Sequence, residues 1–288
     1  MNKRILKLIT PFALALLVCL SFSTPSQAST KTVPKKGSSS YYYVSADMSG
    51  DGKSDSIKII TSKYKNSTIR TIKVLINNKT AYTKNISSGH TNYIRVKYAK
   101  MSNSREFLQI IGYGKKNSID FNQVFRYNKS SKKLVSVSSF NQKPATAGEI
   151  TSATGSYITI SHSNQSNEVG TITWSFQYRY TNQKLVLVSP TTTTVKSVIG
   201  SYKKDKYTNL FKKNQFVAAK KLSFYNGSRF SYSVKAGQTI TLKKLTFSNN
   251  TIYLQFQYGN KTGWAHVNRS NYRISSPWFY GVNSRLSK

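Results

Sequence analysis

The chain has 288 residues, with 44 Lys plus Arg against 8 Asp plus Glu, for a formal net charge of +36. So few carboxylates argue against chemistry built on paired acids, and the charge points to polyanionic partners rather than to any fold. The 20 Tyr and 14 Phe supply apolar area that a disordered chain lacks.

Residues 1–28 read as an export signal. Lys3, Arg4 and Lys7 precede the apolar run Leu8–Leu20, and Ser26-Gln27-Ala28 offers a small-x-small cleavage site. The run is short for a membrane span, which needs about 20 residues. The one cysteine, Cys19, lies inside it. The mature chain is therefore expected to work without disulfides, thiolate chemistry or Cys-bound metal. Its expected location is secreted or at the cell surface.

Residues 29–40 (STKTVPKKGSSS) are small, polar and basic and read as a flexible tether. From Tyr41 the pattern becomes short β-type runs at period two: Ser56–Ile60, Ile69–Ile76 and Tyr93–Tyr98, with Phe107–Ile111 as a more buried run. Asn77-Asn78 marks a turn. An internal echo follows. Phe125-Arg126-Tyr127 leads through a polar turn into Lys133-Leu134-Val135-Ser136-Val137, and Tyr178-Arg179-Tyr180 leads likewise into Lys184-Leu185-Val186-Leu187-Val188. Two hairpins of one design predict a repetitive antiparallel β domain over 41–190. Ser161-His162-Ser163-Asn164 reads as a surface turn. Pro190-Thr191-Thr192-Thr193-Thr194 breaks the pattern and opens a linker over 191–215, with one short helix near Tyr207–Lys213. Residues 216–288 return to short strands joined by Asn-Gly, Asn-Asn and Gly-Asn turns, as suits a small open barrel.

Three of the eight acids fall within DMSGDGKSD, Asp47 to Asp55. Ca²⁺ takes oxygen ligands, and a loop supplies them at alternate positions. Here these are Asp47, Ser49, Asp51, the carbonyl of Lys53, and Asp55, with Gly50 and Gly52 permitting the tight wrap. The twelfth position is Lys58 rather than Glu and lies in a strand, so a helix-loop-helix site is excluded. The segment resembles the calcium loop of FG-GAP/VCBS-type β repeats, in which such a loop introduces a strand. That resemblance implies a structural Ca²⁺ in a secreted, adhesin-like or carbohydrate-binding setting.

Residues 216–288 contain Lys and Arg but no acid, which predicts a polyanion partner and salt-sensitive binding. Gly237-Gln238 before a strand, a hairpin, and Lys261-Thr262-Gly263-Trp264 entering the next strand resemble bacterial Src-homology-3-like barrels, with Tyr253 where Trp is usual. Membership implies binding to peptidoglycan or, in a strongly basic domain, to anionic wall polymer. The candidate contact residues are Lys243, Lys244, Tyr253, Tyr258, Lys261, Trp264, Arg269, Arg273 and Trp278, with aromatics stacking on sugars and cations meeting phosphate. Tyr253 and Trp264 have a second reading as barrel core.

The histidines (His90, His162, His266) and the scattered acids Glu106, Asp120, Glu149 and Glu168 form no nucleophile, metal or acid-pair motif, so catalysis is not expected. The expectation is an all-β, non-catalytic binding protein of the cell envelope. Extracellular nucleic acid or a host glycan is the alternative partner.

Overall fold

The computed structural model describes residues 27–36, 41–102, 105–139, 146–166, 168–198, 207–248, 251–267 and 277–282. The described residues are mostly antiparallel strands, arranged in four sheets. The first is a meander of β2 (Tyr41–Ala46), β3 (Asp55–Lys63), β4 (Ile69–Ile76) and β5 (Lys79–Asn85). The second repeats the plan with β6 (Tyr93–Lys100), β7 (Glu106–Tyr113), β8 (Ile119–Asn128) and β9 (Lys133–Ser139), and β1 (Ser29–Thr32) joins its edge beside β6. The third comprises β10 (Thr146–Ala153), β11 (Tyr157–Ser166), β12 (Gly170–Thr181) and β13 (Lys184–Leu187). Strand β15 (Val195–Val198) pairs with the first half of β12.

The fourth sheet has seven strands. These are β14 (Thr191–Thr192), β16 (Gln215–Val217), β17 (Leu222–Asn226), β18 (Arg229–Val234), β19 (Thr239–Ser248), β20 (Thr251–Tyr258) and β21 (Lys261–Val267). Helix α1 is short, Thr208–Lys212, and falls where the sequence placed one. No helix among the described residues is long and apolar enough to cross a membrane.

Alternation decides how the sheets stack. Ile57, Ile59, Ile72 and Val74 of the first sheet face Val96, Leu108, Ile110 and Phe125 of the second and form one core. The other face of the second sheet, with Phe107, Val124 and Val137, packs into a core that continues through the third and fourth sheets. Strand β7 serves both cores, and every one of its eight residues is buried. Such a strand shows no alternation in sequence because neither face meets water. Gly112 in β7 has no side chain because the Phe121 ring lies where a Cβ would sit, 2.1 Å away.

The echo is the last hairpin of two successive meanders. Arg126 opposes Val135 in β8–β9, and Arg179 opposes Val186 in β12–β13. It also joins the sheets: the Arg126 guanidinium lies 4.7 Å from the Tyr180 ring centroid. The first meander ends in a matching hairpin, where Asn77 and Asn78, both at positive φ, turn into Lys79. Lys79, Lys133 and Lys184 each open the closing strand, although the first copy lacks the Arg-Tyr pair that made the others visible.

Three expectations are corrected. Within the supposed tether 29–40, Ser29–Thr32 form β1, paired to Lys97–Lys100, and Val33 is buried. Within the supposed linker 191–215, β14 completes the fourth sheet and β15 the third. In both segments pairing to a strand distant in sequence overrides the flexible local composition. His162 is not in a surface turn. It lies inside β11, on the inward phase set by Ile158 and Ile160, and is buried.

Candidate functional site

The fourth sheet carries aromatic residues on its outward face as well as in its core. Phe224, Leu242, Leu245, Leu254 and Phe256 point inward and are buried. Their neighbours in β17, β19, β20 and β21 therefore point out. Register then sets two cross-strand rows. Lys244 opposes Gln255, which opposes Trp264, which opposes Tyr225. In the next row Thr246 opposes Tyr253, which opposes His266. Exposure of 36% at Tyr253, 43% at Tyr225 and 55% at Phe230 places these rings on the surface rather than in a barrel core.

Tyr225 and Tyr253, but not Phe230, border an open groove of about 480 Å³, also lined by Ser223, Gly227, Thr246, Trp264, Ala265, His266 and Trp278. Trp278 arrives from the chain's last described segment. Its N–H donates to the Glu168 carbonyl at 2.9 Å, and its carbonyl accepts from Ala219 N–H at 2.8 Å. The next residue, Phe279, is buried against Phe216 and Phe256 and anchors the segment. A break in register between Leu242 and Lys244 turns Lys243 and Lys244 to solvent. Lys244 lies two strands from Trp264 in the same row, about 10 Å at ordinary strand spacing.

Three expected contact residues therefore meet in one groove (Tyr253, Trp264, Trp278), with Lys243 and Lys244 on its flank. Tyr258 and Lys261 do not join them. They oppose each other at the β20–β21 turn and line a separate opening of about 770 Å³ with Phe230 and Tyr232. Tyr258 is held there by a hydrogen bond from Gln238 Nε2 and by the Tyr232 ring, 6.2 Å away. Arg269 and Arg273 lie outside the described residues. Tyr225 and His266 were missed by sequence reasoning. Counting by twos from Trp264 would have found His266, but only the register across β17–β21 brings in Tyr225.

The acidic loop folds on itself. Asp47 Oδ1 and Oδ2 accept the N–H groups of Asp51 and Gly52, each at 2.9 Å. Buried Asp55 accepts Ser49 N–H at 2.7 Å and Asn77 Nδ2 at 2.6 Å. Asp51 accepts Lys53 N–H, and this bond holds its carboxyl below the usual range. Lys129 Nζ donates to the Gly50 carbonyl at 3.0 Å. The oxygen-rich donor set suits Ca²⁺, and each carboxylate keeps acceptor capacity. The arrangement nevertheless spends much of it on the loop's own amides. Among the described residues, no three His, Cys, Asp or Glu side chains gather closely enough to hold a metal ion.

No protein-family model, curated protein or solved structure matches the chain.

The remaining described acids are engaged in structure or buried. Glu149 pairs with Arg95 and Lys97, which hold it below its ordinary pKa against the opposing effect of burial. Glu106 is buried beside Lys100, and burial raises its pKa. Asp120 accepts the Thr91 hydroxyl at 3.0 Å, and Glu168 is buried. None of them borders the groove. The groove can stack rings against a flat ligand face, offer hydroxyl and imidazole hydrogen bonds, and attract anions through its lysine flank.

Proposed function

We propose that the chain is a non-catalytic, exported binding protein of the cell envelope that recognises an anionic wall polymer or peptidoglycan through the fourth sheet. The observation that carries this reading is the open groove of Tyr225, Tyr253, Trp264 and Trp278 beside Lys243 and Lys244, in a segment without acids. Sugar rings would rest on the aromatic faces while the lysines meet phosphate or carboxylate. The resemblances favour the same setting: an FG-GAP/VCBS-like loop in the N-terminal β region and a Src-homology-3-like barrel at the C-terminal end. For the loop we propose a structural Ca²⁺, held by Asp47, Ser49, Asp51, Asp55 and the Lys53 carbonyl. A calorimetric titration with neither heat nor a melting shift would reject it.

The test of binding is retention of the full chain on purified cell walls, with and without their anionic polymer, over a salt series. The proposal expects retention to fall on polymer removal and with rising salt. Retention indifferent to both would reject it. Salt-sensitive binding to DNA but not to walls would favour the nucleic-acid alternative.

A further inference from the structure

The outward face of the first sheet carries chemistry that the groove does not use. Within Tyr41-Tyr42-Tyr43, Tyr42 packs inward and its hydroxyl donates to the Ile94 carbonyl at 2.9 Å, so its two neighbours point out. Register places Tyr43, Lys58 and Leu75 in one row and Tyr41, Ile60, Lys73 and Thr83 in the next. Lysines sit on the rings: Lys58 Nζ is 4.4 Å from the Tyr41 centroid, and Lys36 Nζ is 5.6 Å from that of Tyr43.

The third row, Ser62, Thr71 and Asn85, ends in a polar opening of about 370 Å³ that also includes Tyr64 and Arg70. Register slips between Ser62 and Lys63, so Arg70 bulges from the ladder, and its guanidinium lies 5.9 Å from the Tyr64 ring. No ion pair among the described residues involves Lys58, Arg70 or Lys73. The acids of this sheet are confined to the β2–β3 turn at its other end, where they bind the turn's own amides.

We infer that this face is a second docking surface, separate from the groove, for a flexible polyol-phosphate chain. Cations on adjacent strands and alternate residues stand about 8 Å apart, from strand spacing near 4.8 Å and a two-residue repeat near 6.8 Å. Successive phosphates on a flexible chain adjust to that spacing. The opening at Arg70 offers a guanidinium with the hydroxyls of Ser62 and Thr71 and the Asn85 amide, a donor set for one phosphate. Nucleic-acid bases fit less well. Single strands bind by stacking on uncovered aromatic faces, and here Lys58 and Lys36 already occupy a face of Tyr41 and of Tyr43.

The probe is synthetic poly(glycerol phosphate), titrated calorimetrically into the full chain at several salt concentrations. Three proteins are compared: the natural sequence, the triple variant Lys58→Gln/Arg70→Gln/Lys73→Gln, and Trp264→Ala as a groove control. The triple variant should lose at least tenfold in affinity. Its salt slope should flatten by about two, at roughly 0.7 per lost phosphate contact. Trp264→Ala should keep the natural slope. Melting curves check that the triple variant is folded, and a Lys58→Arg/Lys73→Arg variant should keep natural binding because the charge remains. An unchanged affinity and slope in the triple variant would overturn the inference. So would oligothymidylate that binds this face more tightly than the polyol phosphate. Failure to bind whole walls, with probe binding still lost in the triple variant, would reject the envelope reading and leave this one standing.

Discussion

Acidification should weaken the fold through one side chain, His162. Its ring is buried among aromatics, 5.7 Å from Trp174 and 6.0 Å from Tyr178 in stacked orientations and 5.3 Å from Phe176 edge-on. Its Nε2 lies 3.0 Å from the Tyr178 hydroxyl. Burial pushes its pKa down from 6.5 to about 4. The unfolded chain thus takes up this proton at a higher pH than the fold does. The stability due to keeping His162 neutral is fully present above about pH 6.5 and is lost as pH falls towards 4. Each pH unit across that window is worth about 1.4 kcal/mol, so the full loss is about 3 kcal/mol. Urea unfolding at a series of pH values, for the natural chain and for His162→Gln, isolates the effect, because the other titrating groups are common to both. The natural chain should lose about 3 kcal/mol more than the variant between pH 7 and pH 4. Parallel curves for the two proteins would refute the reasoning.

Other consequences follow from single contacts. Asp55→Ala removes a buried carboxylate that accepts from Ser49 N–H and Asn77 Nδ2, and should cost about 3 kcal/mol in denaturant unfolding. Gly112→Ala drives a methyl into the Phe121 ring and should cost about 2 kcal/mol, recovered in part by Phe121→Leu. Gly263→Ala places a Cβ 2.8 Å from that of Phe224, beneath the groove floor, and should lower both melting temperature and wall retention.

Much of the fold was legible because local chemistry and final structure agree. Ile69–Ile76 alternates in sequence and is strand β4 to the residue, and Asn77-Asn78 takes the positive φ values that a tight hairpin demands. The buried character of Phe107–Ile111 was visible as an apolar run interrupted only by Gln109. What escaped depends on partners distant in sequence. Ser29–Thr32 is a strand only because Lys97–Lys100 is beside it. His162 looks polar among Ser and Asn until the inward phase of Ile158 and Ile160 is extended to it. At the site, the aromatic residues of β20 and β21 were recognisable individually. Their separation into a groove at Trp264 and a second opening at Tyr258 follows from register, which residue types alone do not encode.

The three tryptophans allow the central claim to be read directly. Trp174 is buried at 2% exposure, whereas Trp264 and Trp278 border the groove. Acrylamide quenching of tryptophan fluorescence should therefore report on the groove alone, with Trp174 as a silent interior signal. Adding solubilised anionic wall polymer should protect Trp264 and Trp278 from quenching. Trp264→Ala should weaken polymer binding by about 2 kcal/mol, near 30-fold. Polymer that binds the chain while leaving quenching unchanged, or that binds Trp264→Ala as tightly as the natural sequence, would contradict recognition through the fourth sheet.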